Sequence, residues 1–286
     1  MSNVAGVEQG RVQCAPEDSE AGYNLKAAFP DFPEVLKTWQ DASRQVLLKR
    51  RPAVDIPYGD QPLQTLDFYR AQAVGTPLLV FIHGGYWQGG DKNDVGFIAD
   101  PYVEAGISVA VINYSLAPAA RIEDMVVEVR RAINWLRDNA EHLGVDTRRI
   151  SLMGHSAGGH LAAMMAVAGE ANRGVQAPAH VFAISGVFDL PPLVPSSIND
   201  ALSLDMARAE ALSPVALPGP AVTQVHTFIG EGETHQFHLQ SAALAESWDR
   251  VVAHHVVPDT HHYTVLNVLG DGASPYARAV IDAILA

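Results

Sequence analysis

Residues 154 to 160 read GHSAGGH, a serine ringed by small residues between the apolar run Ile150, Ser151, Leu152, Met153 and the segment LAAMMAVA. A strand-like run entering a helix-like run through one serine needs an abrupt reversal. The residue at its apex is forced toward strained backbone, and only small neighbours leave it room. Gly154 and Gly158 are those neighbours. The G-x-S-x-G spacing therefore predicts a nucleophile elbow, with the Ser156 hydroxyl held off the end of a sheet and the N-terminus of the next helix aimed at it. The other reading is a Gly-rich turn with an incidental serine; the chemistry an elbow would serve is acyl transfer, which also needs donors for an oxyanion, a base and an acid.

HGGYW, at 83 to 87, follows the apolar run PLLVFI. An isolated HGG reads as a tight turn, but beside an elbow its main chain becomes a candidate oxyanion hole. The N–H groups of Gly85 and Tyr86 would act with that of Ala157, the residue after the serine. Each such donor is worth about 3 kcal/mol of barrier. His83 is expected to brace this loop. For the base there are twelve histidines. The hydrolase order of nucleophile, acid and base asks for one after the last strand, where His261 and His262 both stand. His254 and His255 fall in a strand, and His155 and His160 flank the elbow, where they would shape the pocket or brace the sheet. For the acid, Glu231 and Glu233 follow the run VTQVHTFI. Asp189, one strand earlier, is the alternative, with a turn-capping role as its other reading. No H-x-x-x-H or H-E-x-x-H spacing occurs and there is one cysteine, so neither a metal nor a cofactor is expected.

These groups must be carried by elements. The segment 30 to 50 places Phe32, Val35, Leu36, Trp39, Val46 and Leu47 at mostly helical intervals, and reads as one amphipathic helix. From residue 62 strand-like and helical runs alternate: LQTLDFYR, PLLVFIHGG, a helix near 94 to 105, ISVAVINYSLAP, a helix over 122 to 140, RISLMGHS, and a helix from Ala157 to Ala168. HVFAISGVFDL, VTQVHTFIGEGE, a helix over 236 to 248, RVVAHHVVPD and a helix over 275 to 285 complete the series. The alternation predicts an α/β fold, a mainly parallel central sheet with helices on both faces. Residues 190 to 220, with PPLVPSS, a helical stretch near 199 to 210 and LPGP, break the pattern and read as a small cap-like excursion over the strand ends.

On these pieces the chain resembles the α/β-hydrolase fold and, within it, the kynurenine formamidase (arylformamidase) branch of the esterases. The resemblance runs over about residues 23 to 270. It is carried by HGGYW, NYSLAP at 113 to 118, GHSAGGH, SGVFDL at 185 to 190, LSP at 212 to 214, GEGETHQFHLQS at 230 to 241 and HHYTVL at 261 to 266, with YNLKAAFPDFPEVLKTW similar to the opening of bacterial members. It implies His262 as the base, because His262 and Tyr263 stand where the family carries a His-Phe pair. His261 is then a solvated neighbour. In the family pattern G-x-x-D/E-x-x-x-F-x-x-Q-S the acid falls on Glu233. Most relatives carry aspartate there, so this chain adds a methylene to the acid. The implied enzyme is a serine hydrolase working through a Ser156–His262–Glu233 triad and an acyl-enzyme, an arylformamidase acting on substrates of the N-formylkynurenine type. A short-acyl carboxylesterase with the same machinery is the alternative. A binding protein that kept the fold and lost catalysis is the more remote one, opposed by the complete triad. Trp87, His155 and Tyr263 are expected to line the substrate pocket, roofed by the helix at 30 to 50 and the excursion.

Composition sets the outer bounds. A chain of 286 residues, 48% hydrophobic, can bury a large core as one domain, expected over residues 23–286. Residues 1–22 hold Glu8, Glu17, Asp18 and Glu20 without an apolar segment, and are expected to be disordered, with neither a signal peptide nor a membrane span. A net charge of −13 argues against nucleic acid and anionic membranes as partners and suits small neutral or cationic substrates better; the partner the resemblance implies is a small-molecule acyl amide or ester. The lone Cys14 suits a cytoplasmic, reducing location, and a homodimer is compatible with the sequence.

Overall fold

All seven residues from Thr76 to Ile82 are buried, as a strand covered on both faces requires. This strand sits at the centre of the protein in the computed structural model, which describes residues 6–169 and 176–286. A small hairpin pairs β1 (Gly6–Glu8) with β2 (Arg11–Gln13). The main sheet holds β3 (Ala53–Pro57), β4 (Thr65–Tyr69), β5 (Thr76–Ile82), β6 (Ser108–Ile112), β7 (Val145–His155), β8 (His180–Ile184), β9 (Gln224–Gly230) and β10 (Val251–Val257). Their order across the sheet is β3-β4-β6-β5-β7-β8-β9-β10. The six strands from β6 to β10 in that order pair in parallel, and β4 and β3 are antiparallel at one edge. The chain leaves β5 for β6 on one side and returns to β7 on the other, so the ends of β5 and β7 diverge at a switch point of the kind where α/β sheets bind ligands.

The period of two sorts side chains onto the two faces. Leu78, Val80 and Ile82 enter a core shared with the helices Ile122–Asp138, Ala157–Met164 and His235–Ser247. Leu79 and Phe81 enter another, shared with the helices Phe32–Arg50, Ala99–Glu104, Val265–Leu269 and Pro275–Leu285. Each large apolar side chain so buried contributes about 1.5–3 kcal/mol. The mainly parallel α/β sheet read from the alternation, with helices on both faces, is therefore present. The excursion is present as well, with short helices at Asn199–Leu202 and Met206–Ala211.

Two expectations need correction. The helix near 94 to 105 is broken into Lys92–Val95, a 3-10 turn over Gly96–Ile98, and Ala99–Glu104. Ser43 causes the break: its Oγ accepts the Phe97 N–H at 3.0 Å and donates to the Asp94 carbonyl at 3.0 Å, diverting both from the helical ladder. Residues 6–22 are also ordered, while residues 1–5 lie outside the described residues. The hairpin is followed by the helix Pro16–Tyr23, and the whole strap is tied to the body. Asp189 Oδ1 accepts from Arg11 Nε at 3.0 Å and Nη2 at 2.6 Å, and its Oδ2 accepts the Val12 N–H at 2.8 Å. Gln240 donates to the Tyr23 hydroxyl at 2.7 Å, and Thr234 donates to the Gly22 carbonyl at 2.7 Å. Low hydrophobicity suggested disorder, but the order comes from partners far along the chain. Among the described residues no helix is long and apolar enough to cross a membrane.

Candidate active site

Strand β7 ends at His155, Ser156 takes φ 56° and ψ −119°, and the helix Ala157–Met164 starts at once. The glycines make this reversal possible. A Cβ on Gly154 would lie 2.0 Å from the Gly158 carbonyl oxygen, and one on Gly158 would lie 2.1 Å from the Ile82 carbonyl oxygen. No side chain fits at either position. The strained Ser156 is held by its own N–H, which donates to the Ile184 carbonyl at 2.8 Å, and by its carbonyl, which accepts the His160 N–H at 3.2 Å.

HGGYW leaves the neighbouring strand beside the elbow. Gly85, Tyr86 and Trp87 have φ of +115°, 50° and 57°, three positive values in succession. The Gly85 carbonyl accepts the N–H groups of Gln88 and Gly89 at 2.9 and 3.0 Å, and the Trp87 carbonyl accepts that of Ala117 at 2.8 Å. His83 stacks on Tyr114 with centroids 4.5 Å apart and bonds the Gly84 carbonyl at 2.8 Å, bracing the turn. A Cβ on Gly84 would come within 2.9 Å of Ser156 Cβ, so this turn abuts the elbow. Among the described residues, neither the Gly85 nor the Tyr86 N–H is spent in a hydrogen bond. The Tyr86 hydroxyl donates to the Tyr23 carbonyl at 2.7 Å, which joins the strap to the candidate oxyanion turn.

The candidate acid and base meet in the interior. His262 Nδ1 lies 2.8 Å from Glu233 Oε2, and both side chains are buried. Glu233 Oε1 accepts the Gly230 N–H at 2.9 Å and the Ser185 hydroxyl, so both oxygens of the carboxylate have a partner. The two other acids are elsewhere. Glu231 is exposed, and Asp189 holds Arg11 and Val12 of the hairpin, which replaces its expected turn-capping role. Ser185 was not singled out in the sequence, although it opens SGVFDL directly after β8 and is the residue that secures the longer acid.

The flanking residues are distributed unevenly. His155 Nε2 lies 2.7 Å from the His262 carbonyl oxygen, and its pKa is held well below the usual histidine range by burial, with the nearby His262 adding to the effect. Tyr263 stacks on Phe32 with centroids 4.1 Å apart, and Phe237 meets the His262 ring edge-on at 4.5 Å. His261, expected as a solvated neighbour, is partly exposed and also held: it stacks on Phe29 at 4.6 Å and its Nε2 is 3.1 Å from Asp31. Trp87 is fully buried and meets the His160 ring edge-on at 5.1 Å, so it belongs to the core and not to a pocket wall. His160 Nε2 bonds the Leu212 carbonyl at 2.8 Å, and burial pushes its pKa down to about 4. His254 and His255 stay in β10, one bonded to Thr227 at 2.7 Å and the other stacked on Phe228. No hydrogen bond joins Ser156 to His262 among the described residues. Nor do those residues include a group of three or more His, Cys, Asp or Glu side chains able to hold a metal ion. Two surface grooves of about 420 and 640 Å³, near Ser43 and Trp135, include no residue of this site.

Comparison with known proteins gives a consistent result. Residues 66–194 match the BD-FAE family. The chain is 31% identical over 239 residues to a kynurenine formamidase of Drosophila melanogaster, a match covering 76% of this chain and 79% of that protein. It is 29% identical over 247 residues to one of Danio rerio, covering 82% of each. Among solved structures, a thioesterase candidate from Silicibacter sp. tm1040 superposes with a TM-score of 0.83 at 28% identity, over 93% of this chain and 98% of that one.

Proposed function

The chain belongs to the kynurenine formamidase family of α/β-hydrolase enzymes, and on that premise we propose that it is a serine hydrolase of small acyl amides and esters, with aryl formamides as its preferred class. The observation that carries this reading is the buried His262–Glu233 pair, 2.8 Å apart, in a fold that sets a strained serine on a glycine-cleared elbow.

In the proposed reaction His262 Nε2 takes the Ser156 proton as Oγ attacks the acyl carbon. The negative charge on the carbonyl oxygen is met by the N–H groups of Gly85, Tyr86 and Ala157, which the main chain holds in place before reaction and which therefore need no reorganisation. Glu233 fixes the Nδ1–H tautomer of His262 and stabilises the imidazolium. Collapse of the tetrahedral intermediate passes the imidazolium proton to the leaving amine and leaves acyl-Ser156. A water, deprotonated by His262, then releases the acid and restores the serine. The absence of a Ser156–His262 bond in the resting enzyme is compatible with this sequence, since such bonds often tighten only when substrate arrives.

The substrate preference follows from crowding. The strap reaches Tyr86 through Tyr23, and Gly84 lies against Ser156, so the acyl side of the serine is confined. A formyl group is the shortest acyl, and the partly exposed rings of Tyr86 and Tyr263 offer an aromatic leaving group about 1 kcal/mol of ring contact. The test is kcat/KM for N-formylkynurenine, simpler aryl formamides, phenyl acetate and phenyl octanoate. Efficient formamide cleavage, with acetate faster than octanoate, is expected. Inert formamides beside good acetate turnover would make the protein a short-acyl carboxylesterase. Ser156→Ala should lower kcat by roughly 10⁴-fold or more with the fold intact. Failure of Ser156 to react with an organophosphonate would point instead to a binding protein.

A further inference from the structure

His155 has no step in that reaction, yet it is the chain neighbour of Ser156 and is 4% exposed. Its Nε2 is 2.7 Å from the main-chain carbonyl oxygen of His262, 107 positions away. A carbonyl only accepts, so the ring carries its proton on Nε2. Burial and the adjacent His262 both disfavour a second proton, which makes His155 a neutral donor. The ring has little freedom. It lies 4.9 Å from the His262 ring, Trp39 closes on it at 6.2 Å, and a Cβ on Gly84 would stand 3.1 Å from its Nδ1. One rigid side chain thus ties the end of β7, one residue before the serine, to the main chain of the histidine that must reach that serine.

Resting on the reaction above, we propose that His155 is a positioning residue, a strut whose hydrogen bond to the His262 carbonyl sets the separation of Ser156 and His262. It was expected to line the substrate pocket, and the two roles differ in what they affect. A pocket wall acts on substrate affinity. A strut acts on proton transfer and only through His262. A displacement of about 1 Å in a reacting group costs about 10²-fold in rate.

The experiment compares His155→Leu, His155→Gln and His155→Asn, each alone and with His262→Ala, using p-nitrophenyl acetate and an aryl formamide, with thermal midpoints recorded for every variant. His155→Leu should lower kcat about 10²-fold on both substrates and leave KM within about twofold. His155→Gln, whose amide can still donate to the carbonyl, should recover to within about tenfold of wild type, whereas the shorter His155→Asn should not. With His262→Ala in place, adding His155→Leu should cost nothing more, because the strut has nothing left to position. A native kcat in His155→Leu, a loss in KM alone, or multiplicative losses in the double variant would each overturn the proposal. If the leucine variant does not fold, the glutamine and asparagine pair decides. A fully active His262→Ala enzyme would remove the reaction and the strut together; an inactive one beside an unaffected His155→Leu would remove the strut alone.

Discussion

At Ser156 two glycines face carbonyl oxygens at distances that exclude any side chain, and the serine's strained backbone follows from main-chain contacts among β5, β7, β8 and the helix Ala157–Met164. At His262 the ring is held by borrowed side chains: Glu233 and Phe237 around it, with Phe29, Phe32 and Trp39 gripping the residues on either side. One half of the site is made by packing that cannot give. The other is made by replaceable contacts. Side chains added at those glycines should therefore fail at the level of folding, while changes to the side chains that hold the histidine should yield folded proteins with graded losses of rate.

After Ser156→Ala, the sharpest expected effect is on the histidine side. Glu233→Gln keeps the size of the acid but offers an N–H where Nδ1–H needs an acceptor, so kcat should fall by about 10³–10⁴-fold with little change in thermal midpoint. Asp189→Asn is its counterpart: it should spare kcat and lower the midpoint, since Asp189 serves the hairpin. The reverse ranking, in kinetics and calorimetry, would move the acid. On the serine side, Gly158→Ala pushes a methyl group to 2.1 Å from the Ile82 carbonyl oxygen. It should cost about 3 kcal/mol or more in chemical denaturation, or leave no folded protein. A stable, inactive Gly158→Ala protein would erase the contrast. Phe32→Ala removes the ring stacked on Tyr263 and should lower kcat about tenfold while the chain stays folded.

The smallest effect is a pH dependence of stability. His160 is buried with its pKa pushed down to about 4 from 6.5, so the folded state favours its neutral form. Above pH 6.5 this costs nothing. As pH falls from 6.5 toward 4 the unfolded chain takes up a proton that the folded one refuses, so stability drops by at most about 1.4 kcal/mol per pH unit. His160→Gln lacks this slope. Its denaturation midpoint should approach that of wild type as pH is lowered through that window, and a constant gap would disprove the assignment.

This division also explains what the sequence disclosed. The elbow and the HGG turn are local, their glycines are neighbours in sequence, and the alternation of apolar runs gave the sheet around them. His262 and Glu233 required the family pattern, because two adjacent histidines and two nearby glutamates cannot be ranked by spacing. Only three dimensions show Ser185 and Gly230 converging on Glu233 Oε1. Trp87 was misread because its bulk beside the oxyanion glycines looked like a wall, whereas the positive φ of 57° accompanies a ring turned into the core. The strap was missed because its order rests on partners far along the chain, the polar ones and the core that takes Val12 and Tyr23, and not on a hydrophobic period of its own.

That strap has a consequence for biosynthesis. Arg11 and Asp189 are 178 positions apart, Gly22 and Thr234 are 212, and Tyr23 and Gln240 are 217. A ribosome releases the chain from its N-terminus, so residues 6–23 emerge while their docking partners are still untranslated. Contacts of such long sequence separation form slowly. The strap must therefore wait for most of the polypeptide before it can settle beside Tyr86, and the candidate site is closed among the last events of maturation, after the sheet that carries it.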